Sequence, residues 1–148
     1  MKRIDLKWQV GYSKNKSERP RKYYPAVVPG AVQLDVANAE NYSPYWYADH
    51  WKDYLWMEDN FWIYKTEFTK PDIKENNRIL FICKGIDYQY EIYFNGHLFY
   101  SYEGMFRPVE LDVTSHITDT NVLEIVIFPV PKSQTEQRDR SQADQSCK

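Results

Sequence analysis

The fold of this protein is decided by the stretch RILFICKGIDYQYEIYFNGHLFYSY, residues 78–102. Residues 78–83 form a continuous apolar run, which is expected of a central strand covered on both faces. Residues 88–94 alternate between apolar and polar, and Asn95-Gly96 follows them. Asn-Gly between two β runs predicts a hairpin, because both residues tolerate the positive φ of a type I′ turn. Residues 97–102 are then the returning strand.

The same β pattern extends outward from this hairpin. Phe61–Thr69 places alternate residues on one face of a strand, namely Trp62, Tyr64, Thr66 and Phe68. We expect further strands at 4–12, 109–113 and 122–128, and an extended segment at 24–31 that Pro25 and Pro29 interrupt. One short helix is expected at 31–39, with Val32, Val36 and Ala39 on one face. About seven short strands without a βαβ rhythm predict an all-β fold, an antiparallel jelly-roll-type β-sandwich with one short helix.

Composition excludes several classes of function. The 148 residues carry 19 basic and 21 acidic side chains, a net charge of −2, which gives no electrostatic case for nucleic acid or a membrane surface. No apolar stretch is long enough for a membrane span, and residues 1–25 contain no signal-peptide core. Export of a longer parent protein stays open. Neither the histidines nor Cys83 and Cys147 have the spacing of metal ligands, so we expect no metal site. The family resemblance described below implies no cofactor.

We divide the chain into a sandwich domain, 1–131, and a polar tail, 132–148. Pro129 and Pro131 end the last predicted strand, and the tail has no apolar residue beyond Ala143 and Cys147. Such a tail is expected to be disordered on its own. Ser13–Lys22 is predicted to be a charged, solvated loop.

The connection 40–60 is the candidate functional segment. It is long, and its aromatic residues are Tyr42, Tyr45, Trp46, Tyr47, Trp51, Tyr54 and Trp56. Long connections inside compact domains are often functional. Tyr45 and Trp46 are the candidates for carbohydrate contact, because flat aromatic rings suit the faces of sugars. The alternative is that the aromatic residues cover the core or an interface, which is the commoner role of such clusters.

Several short motifs resemble one known family in their order and spacing. Cys83-Lys84-Gly85-Ile86-Asp87, followed by a strand that runs into Asn95-Gly96, resembles the sugar-binding domain of family 2 glycoside hydrolases. The later matches are Phe106-Arg107-Pro108, Leu111–Thr114 and Asn121–Ile125. Upstream, Val28–Asp35, Pro44-Tyr45, Trp56 and Phe61–Tyr64 are similar to the β-mannosidase branch. The resemblance covers about residues 5–130.

The resemblance implies a non-catalytic domain of a longer enzyme that hydrolyses terminal β-mannosides with retention. In that family the two catalytic glutamates belong to a separate (β/α)₈ barrel, with carboxyl groups about 5–5.5 Å apart. No catalytic residue is expected in this chain, and Glu91 and Glu124 are predicted to be solvated. We expect the chain to be a fragment that lacks the domain's last strands. An unfinished sheet leaves open edges, so self-association or segment exchange is also expected.

Three functions stay open from the sequence. The first is a supporting domain that walls the active-site pocket of the barrel. The second is a stand-alone carbohydrate-binding module, because function belongs to the site rather than to the fold. The third is a structural or assembly element in which the aromatic loop is an interface.

Overall fold

A computed structural model describes residues 3–72, 74 and 76–129. The tail predicted at 132–148 lies outside these residues. The described elements are, in chain order, β1 (Trp8–Ser13), β2 (Tyr23–Ala26), α1 (Val32–Glu40), a 3₁₀ helix (His50–Asp59), β3 (Phe61–Thr69), β4 (Leu80–Cys83), β5 (Gln89–Phe94), β6 (His97–Glu103), β7 (Val109–Asp112), a 3₁₀ turn (Thr114–His116) and β8 (Thr120–Ile127).

The strands form two antiparallel sheets in the described part of the chain. The larger sheet has six strands in the order β2-β1-β3-β8-β5-β6, and the smaller sheet pairs β4 with β7. β5 and β6 form the hairpin predicted around Asn95-Gly96, with Phe94 opposite His97 and an irregularity between Ile92 and Tyr93. The prediction of an all-β antiparallel sandwich with a short helix is confirmed.

The core lies between the two sheets. The face of β3 predicted from its alternation contributes Trp62 and Tyr64, and β8 contributes Leu123 and Ile125. The smaller sheet turns Phe81, Cys83, Val109 and Leu111 toward the same core. Burial of large apolar side chains is the main stabilising term here, at about 1.5–3 kcal/mol for each fully buried residue.

Two expectations about individual elements are wrong. β4 is not a central strand covered on both faces, since its one neighbour in the described part of the chain is β7 and Ile82 is 48% exposed. An unbroken apolar run cannot distinguish a central strand from a strand in a small sheet. In α1 the buried residues are Asp35, Val36 and Ala37, whereas Ala39 is exposed. The Val27 N–H donates to the Asp35 carboxylate at 3.2 Å, which ties the helix to the preceding segment.

The six-stranded sheet has two unlike ends. We call the end with Asn95-Gly96 and the connection 113–119 the hairpin end. At the opposite end, which we call the aromatic end, β1 finishes opposite the first residue of β3, with Ser13 facing Phe61. β8 finishes there as well, since Ile127 faces both Trp62 and Tyr90. The connection 41–60 runs into β3 at this end.

Candidate functional site

The second half of the connection 41–60 is fastened to the core. Tyr54 is 7% exposed and Met57 is 1% exposed. The Tyr54 hydroxyl donates to the Ser43 carbonyl at 2.9 Å, and the Trp62 indole N–H donates to the Met57 carbonyl at 2.8 Å. Burial raises the pKa of Tyr54 above its ordinary value of 10.0. The main chain of the connection is therefore held at two points.

Trp56 closes the aromatic end of the core. Its ring centroid lies 4.8 Å from that of Tyr12 and 6.0 Å from that of Trp62. The Tyr12 ring meets it edge-on, an arrangement that aromatic rings favour. Trp56 and Tyr54 therefore cover the domain's own core, which is the alternative to carbohydrate contact considered for this connection.

The first half of the connection displays its aromatic rings to solvent. Trp46 is 72% exposed, Tyr47 is 68% exposed and Tyr45 is 47% exposed. The Tyr45 and Trp46 rings are nearly perpendicular, at 87° with centroids 5.1 Å apart. Tyr45 also contacts the fastened half, with its centroid 6.0 Å from that of Tyr54. We call Tyr45, Trp46 and Tyr47 the aromatic crest.

Phe106 also lies at the aromatic end. Sequence reasoning used it as part of a family motif but did not propose it as a contact residue. Phe106 is 85% exposed and has a φ of 60°. It follows Gly104, whose N–H donates to the Tyr88 carbonyl at 3.0 Å just before β5 begins. The neighbouring Arg107 guanidinium stacks 4.8 Å from the centroid of the Tyr102 ring. The signal in the sequence was a large apolar residue between Gly104 and Pro108, in a connection where polar residues are usual.

The two strand glutamates are not solvated, so that prediction is wrong. Glu91 and Glu124 are 8% and 7% exposed, on the sheet face opposite the core. Glu91 pairs with Lys16 at 2.9 Å, and Glu124 pairs with Arg19 at 3.1 Å. Both cations come from Ser13–Lys22, the segment predicted to be a solvated loop. The alternation of a strand gives the face on which a residue lies, but it does not show what covers that face.

Other polar candidates hold turns. The Asp112 carboxylate accepts hydrogen bonds from the Thr114 N–H at 3.0 Å and from its hydroxyl at 2.5 Å, and these bonds lower the pKa of Asp112. Among residues 3–72, 74 and 76–129 no group of three or more His, Cys, Asp or Glu side chains could hold a metal ion. No helix within the same ranges is long and apolar enough to cross a bilayer. That the chain carries no catalytic residue stays a prediction.

Two antiparallel sheets packed around one core, with one short α-helix, define a galactose-binding-like β-sandwich. A family model described as glycosyl hydrolase 2 galactose-binding domain-like matches residues 8–148. The chain belongs to this family of glycosyl hydrolase 2 domains, as its motifs predicted.

Curated relatives are β-mannosidases. Beta-mannosidase B of Aspergillus clavatus is 32% identical over 108 residues, 72% of this chain and 12% of that protein. The Beta-mannosidase of Capra hircus is 29% identical over 102 residues, 68% of this chain and 12% of that protein. The chain therefore spans about an eighth of the length of these relatives.

Solved structures give the same fold. A β-D-mannosidase from Dictyoglomus thermophilum is similar with a TM-score of 0.71 and 27% identity, over 85% of this chain and 15% of that one. A β-glucuronidase from Faecalibacterium prausnitzii has a TM-score of 0.60 and 17% identity, over 84% of this chain and 20% of that one. The second likeness concerns the fold alone.

Proposed function

We propose that this chain is the non-catalytic sandwich domain of a β-mannosidase-like glycoside hydrolase, and that its aromatic end walls the sugar pocket of a (β/α)₈ barrel. The parent enzyme would act on terminal β-mannosides with retention. It would use two glutamates of the barrel and no cofactor.

The observation that carries this proposal is the aromatic crest. Its rings are exposed, yet Tyr45 packs on Tyr54, which is itself hydrogen-bonded and buried. Exposed aromatic residues on a fastened main chain lose little conformational entropy on binding, so they suit recognition of a rigid partner. Tyr45 and Trp46 would meet either the sugar or the barrel, and the similarity to β-mannosidases favours a β-mannoside as the sugar.

The first test is the coding sequence beyond Lys148. The proposal expects a Trp-Asp-Trp stretch and then a barrel with an Asn-Glu motif. In that longer protein, Trp46→Ala should lower kcat/KM on a β-mannoside at least about tenfold, which corresponds to ~1.4 kcal/mol of lost transition-state contact. Leu98→Ala is the matched control, because Leu98 is 55% exposed but lies at the hairpin end. Equal activities of the two variants would contradict the proposed wall.

A stand-alone carbohydrate-binding module is the second candidate, and the exposure of Tyr45 and Trp46 favours it. Titration of the purified chain with mannose and manno-oligosaccharides, followed by tryptophan fluorescence, separates the two functions. We expect no saturable binding to the chain alone, because one side of a pocket buries little of a sugar when the barrel that forms the rest of the pocket is absent. Saturable binding that is lost in both Tyr45→Ala and Trp46→Ala would favour the module instead.

A further inference from the structure

Residues 14–22, between β1 and β2, contact the outer face of the six-stranded sheet, which points away from the core, through Lys16, Arg19 and Pro20. We call this segment the strap. Ile63 and Val126 lie opposite each other on the outer face. Their exposed fractions are 0% and 1%, although neither residue belongs to the core cluster. One face of an antiparallel sheet is commonly solvated, so apolar side chains that are buried on the outer face need cover from neighbouring side chains or from another segment.

One end of the strap rests on the sheet by packing. Pro20 is buried above Gly11 of β1, which is opposite Ile63 in the sheet. A Cβ on Gly11 would lie 2.5 Å from the Pro20 Cβ and 2.6 Å from the Lys22 carbonyl oxygen. The missing side chain of Gly11 therefore makes room for the strap.

The rest of the strap is held by charge. The Lys16 ammonium lies 2.9 Å from Glu91, and the Arg19 guanidinium lies 3.1 Å from Glu124. The two carboxylate side chains are 10% and 9% exposed, whereas the Lys16 and Arg19 side chains are 45% and 61% exposed, so water and salt can still screen both pairs. Lys16 also lies 5.6 Å from the centroid of the Phe128 ring.

Each element around the two carboxylates contributes a titratable group. On β5 the Tyr93 hydroxyl donates to Glu91 at 2.5 Å. Tyr23 of β2 and Lys65 of β3 both interact electrostatically with Glu124, and Lys65 forms a further ion pair with Glu67 at 2.8 Å. The cations Lys16 and Arg19 connect these sheet residues to the strap. A buried carboxylate that loses its charge loses most of its attraction for such a cation.

We propose that residues 14–22 form an ionically held strap, which closes over the outer face of the sheet at neutral pH through its ion pairs with Glu91 and Glu124, and opens when Glu91 loses its charge. Opening would uncover Ile63 and Val126 and leave the core between the sheets intact. The strap would thus be a conformational device that responds to acid and to salt.

The direction of the pH response follows from Glu91. Burial raises the pKa of Glu91, but hydrogen bonds from Tyr93 and Lys16 outweigh burial and leave this pKa below its ordinary value of 4.5. A carboxyl group with a lowered pKa stabilises the folded state above its unfolded pKa. That contribution is lost as the pH falls through the lowered value. The strap should therefore be closed at pH 7 and should open only as the pH falls through that lowered pKa, which lies below 4.5.

The test measures how far an uncharged paramagnetic chelate in solution relaxes individual methyl groups in NMR. At pH 7 in the full chain, Glu91→Gln/Glu124→Gln should raise relaxation of the Ile63 and Val126 methyls severalfold. The core methyls of Ile92 and Leu123, which are 0% and 2% exposed, should stay unchanged. Glu67→Gln is the control, because Glu67 lies on the same face of β3 but pairs with Lys65 rather than with the strap.

Two outcomes would overturn the proposal. Shielding of Ile63 and Val126 that is unchanged in the double variant would mean that packing of Pro20 holds the strap without the ion pairs. A parallel rise at all four residues would mean that the whole domain loosens. Should the double variant fail to fold, the wild-type chain decides the question. Its Ile63 and Val126 methyls should lose shielding before those of Ile92 and Leu123, both as pH falls from 7 to 3.5 and as salt rises at pH 7.

Discussion

The two ends of the six-stranded sheet are built from different chemistry. At the hairpin end, polar side chains are buried and bonded to one another: Asn121 is 0% exposed, and its amide oxygen accepts from the Asn95 amide at 3.1 Å. At the aromatic end, Trp56 covers the core while Trp46 is 72% exposed. The Asn-Gly hairpin and the Asn121 motif, which helped carry the family resemblance, thus hold strands together. The candidate contact residues lie in a connection rather than in the strand and hairpin motifs.

Of the variants that test this comparison, Asn121→Ala should cause the largest loss in the free energy of unfolding. The Asn121 side chain donates to the Thr118 carbonyl at 2.7 Å and accepts from the Thr118 N–H at 2.9 Å, besides its bond with Asn95. Removing it leaves buried partners unsatisfied, and we expect a loss of about 2–3 kcal/mol in the free energy of unfolding. Urea denaturation followed by tryptophan fluorescence measures this change.

Asn77→Ala is the control for that measurement, because Asn77 is exposed in the connection before β4. It should leave the urea midpoint unchanged. A loss below about 1 kcal/mol in Asn121→Ala would mean that water replaces the lost bonds, and that the hairpin end is no more tightly held than an ordinary loop.

Tyr54→Phe tests whether the connection 41–60 is fastened as its contacts indicate. The variant keeps the ring that packs on Tyr42 and Tyr45 but removes the hydroxyl that donates to Ser43. One lost hydrogen bond should lower the free energy of unfolding by about 1 kcal/mol. Tyr47→Phe, at a residue 68% exposed, should change nothing. Equal losses in the two variants would contradict the division of the connection into a fastened half and an exposed half.

The strands could be predicted because they are local patterns. β3 begins and ends at the predicted residues, Phe61 and Thr69, and its apolar-polar alternation is clear from Tyr64 to Phe68. The hairpin followed from Asn95-Gly96 because few residues other than asparagine and glycine accept its backbone angles. In the structure these two residues have φ values of 48° and 81°.

What covers each sheet face could not be predicted, because the contacts join residues far apart in sequence. Glu91 pairs with Lys16, which is 75 residues away in the sequence. No local pattern predicts that pair. The exposure of β4 and the burial of Pro20 have the same origin. In the aromatic connection the composition indicated a site, but it did not separate Tyr54, which is buried, from Trp46, which is exposed.

Trp46→Ala should have the smallest effect on stability, and it is the most informative variant for the aromatic end. Trp46 is 72% exposed and its ring contacts that of Tyr45, so truncation should change the free energy of unfolding by no more than about 0.5 kcal/mol. Trp62→Ala is the reference variant for the same urea denaturation, because Trp62 is a core residue that is 4% exposed. Truncating a buried tryptophan costs about 3–5 kcal/mol in the free energy of unfolding. A loss above about 1 kcal/mol in Trp46→Ala would make Trp46 a packing residue. A tryptophan that stability does not require, on a main chain that is held in place, is a side chain free to contact something outside the domain.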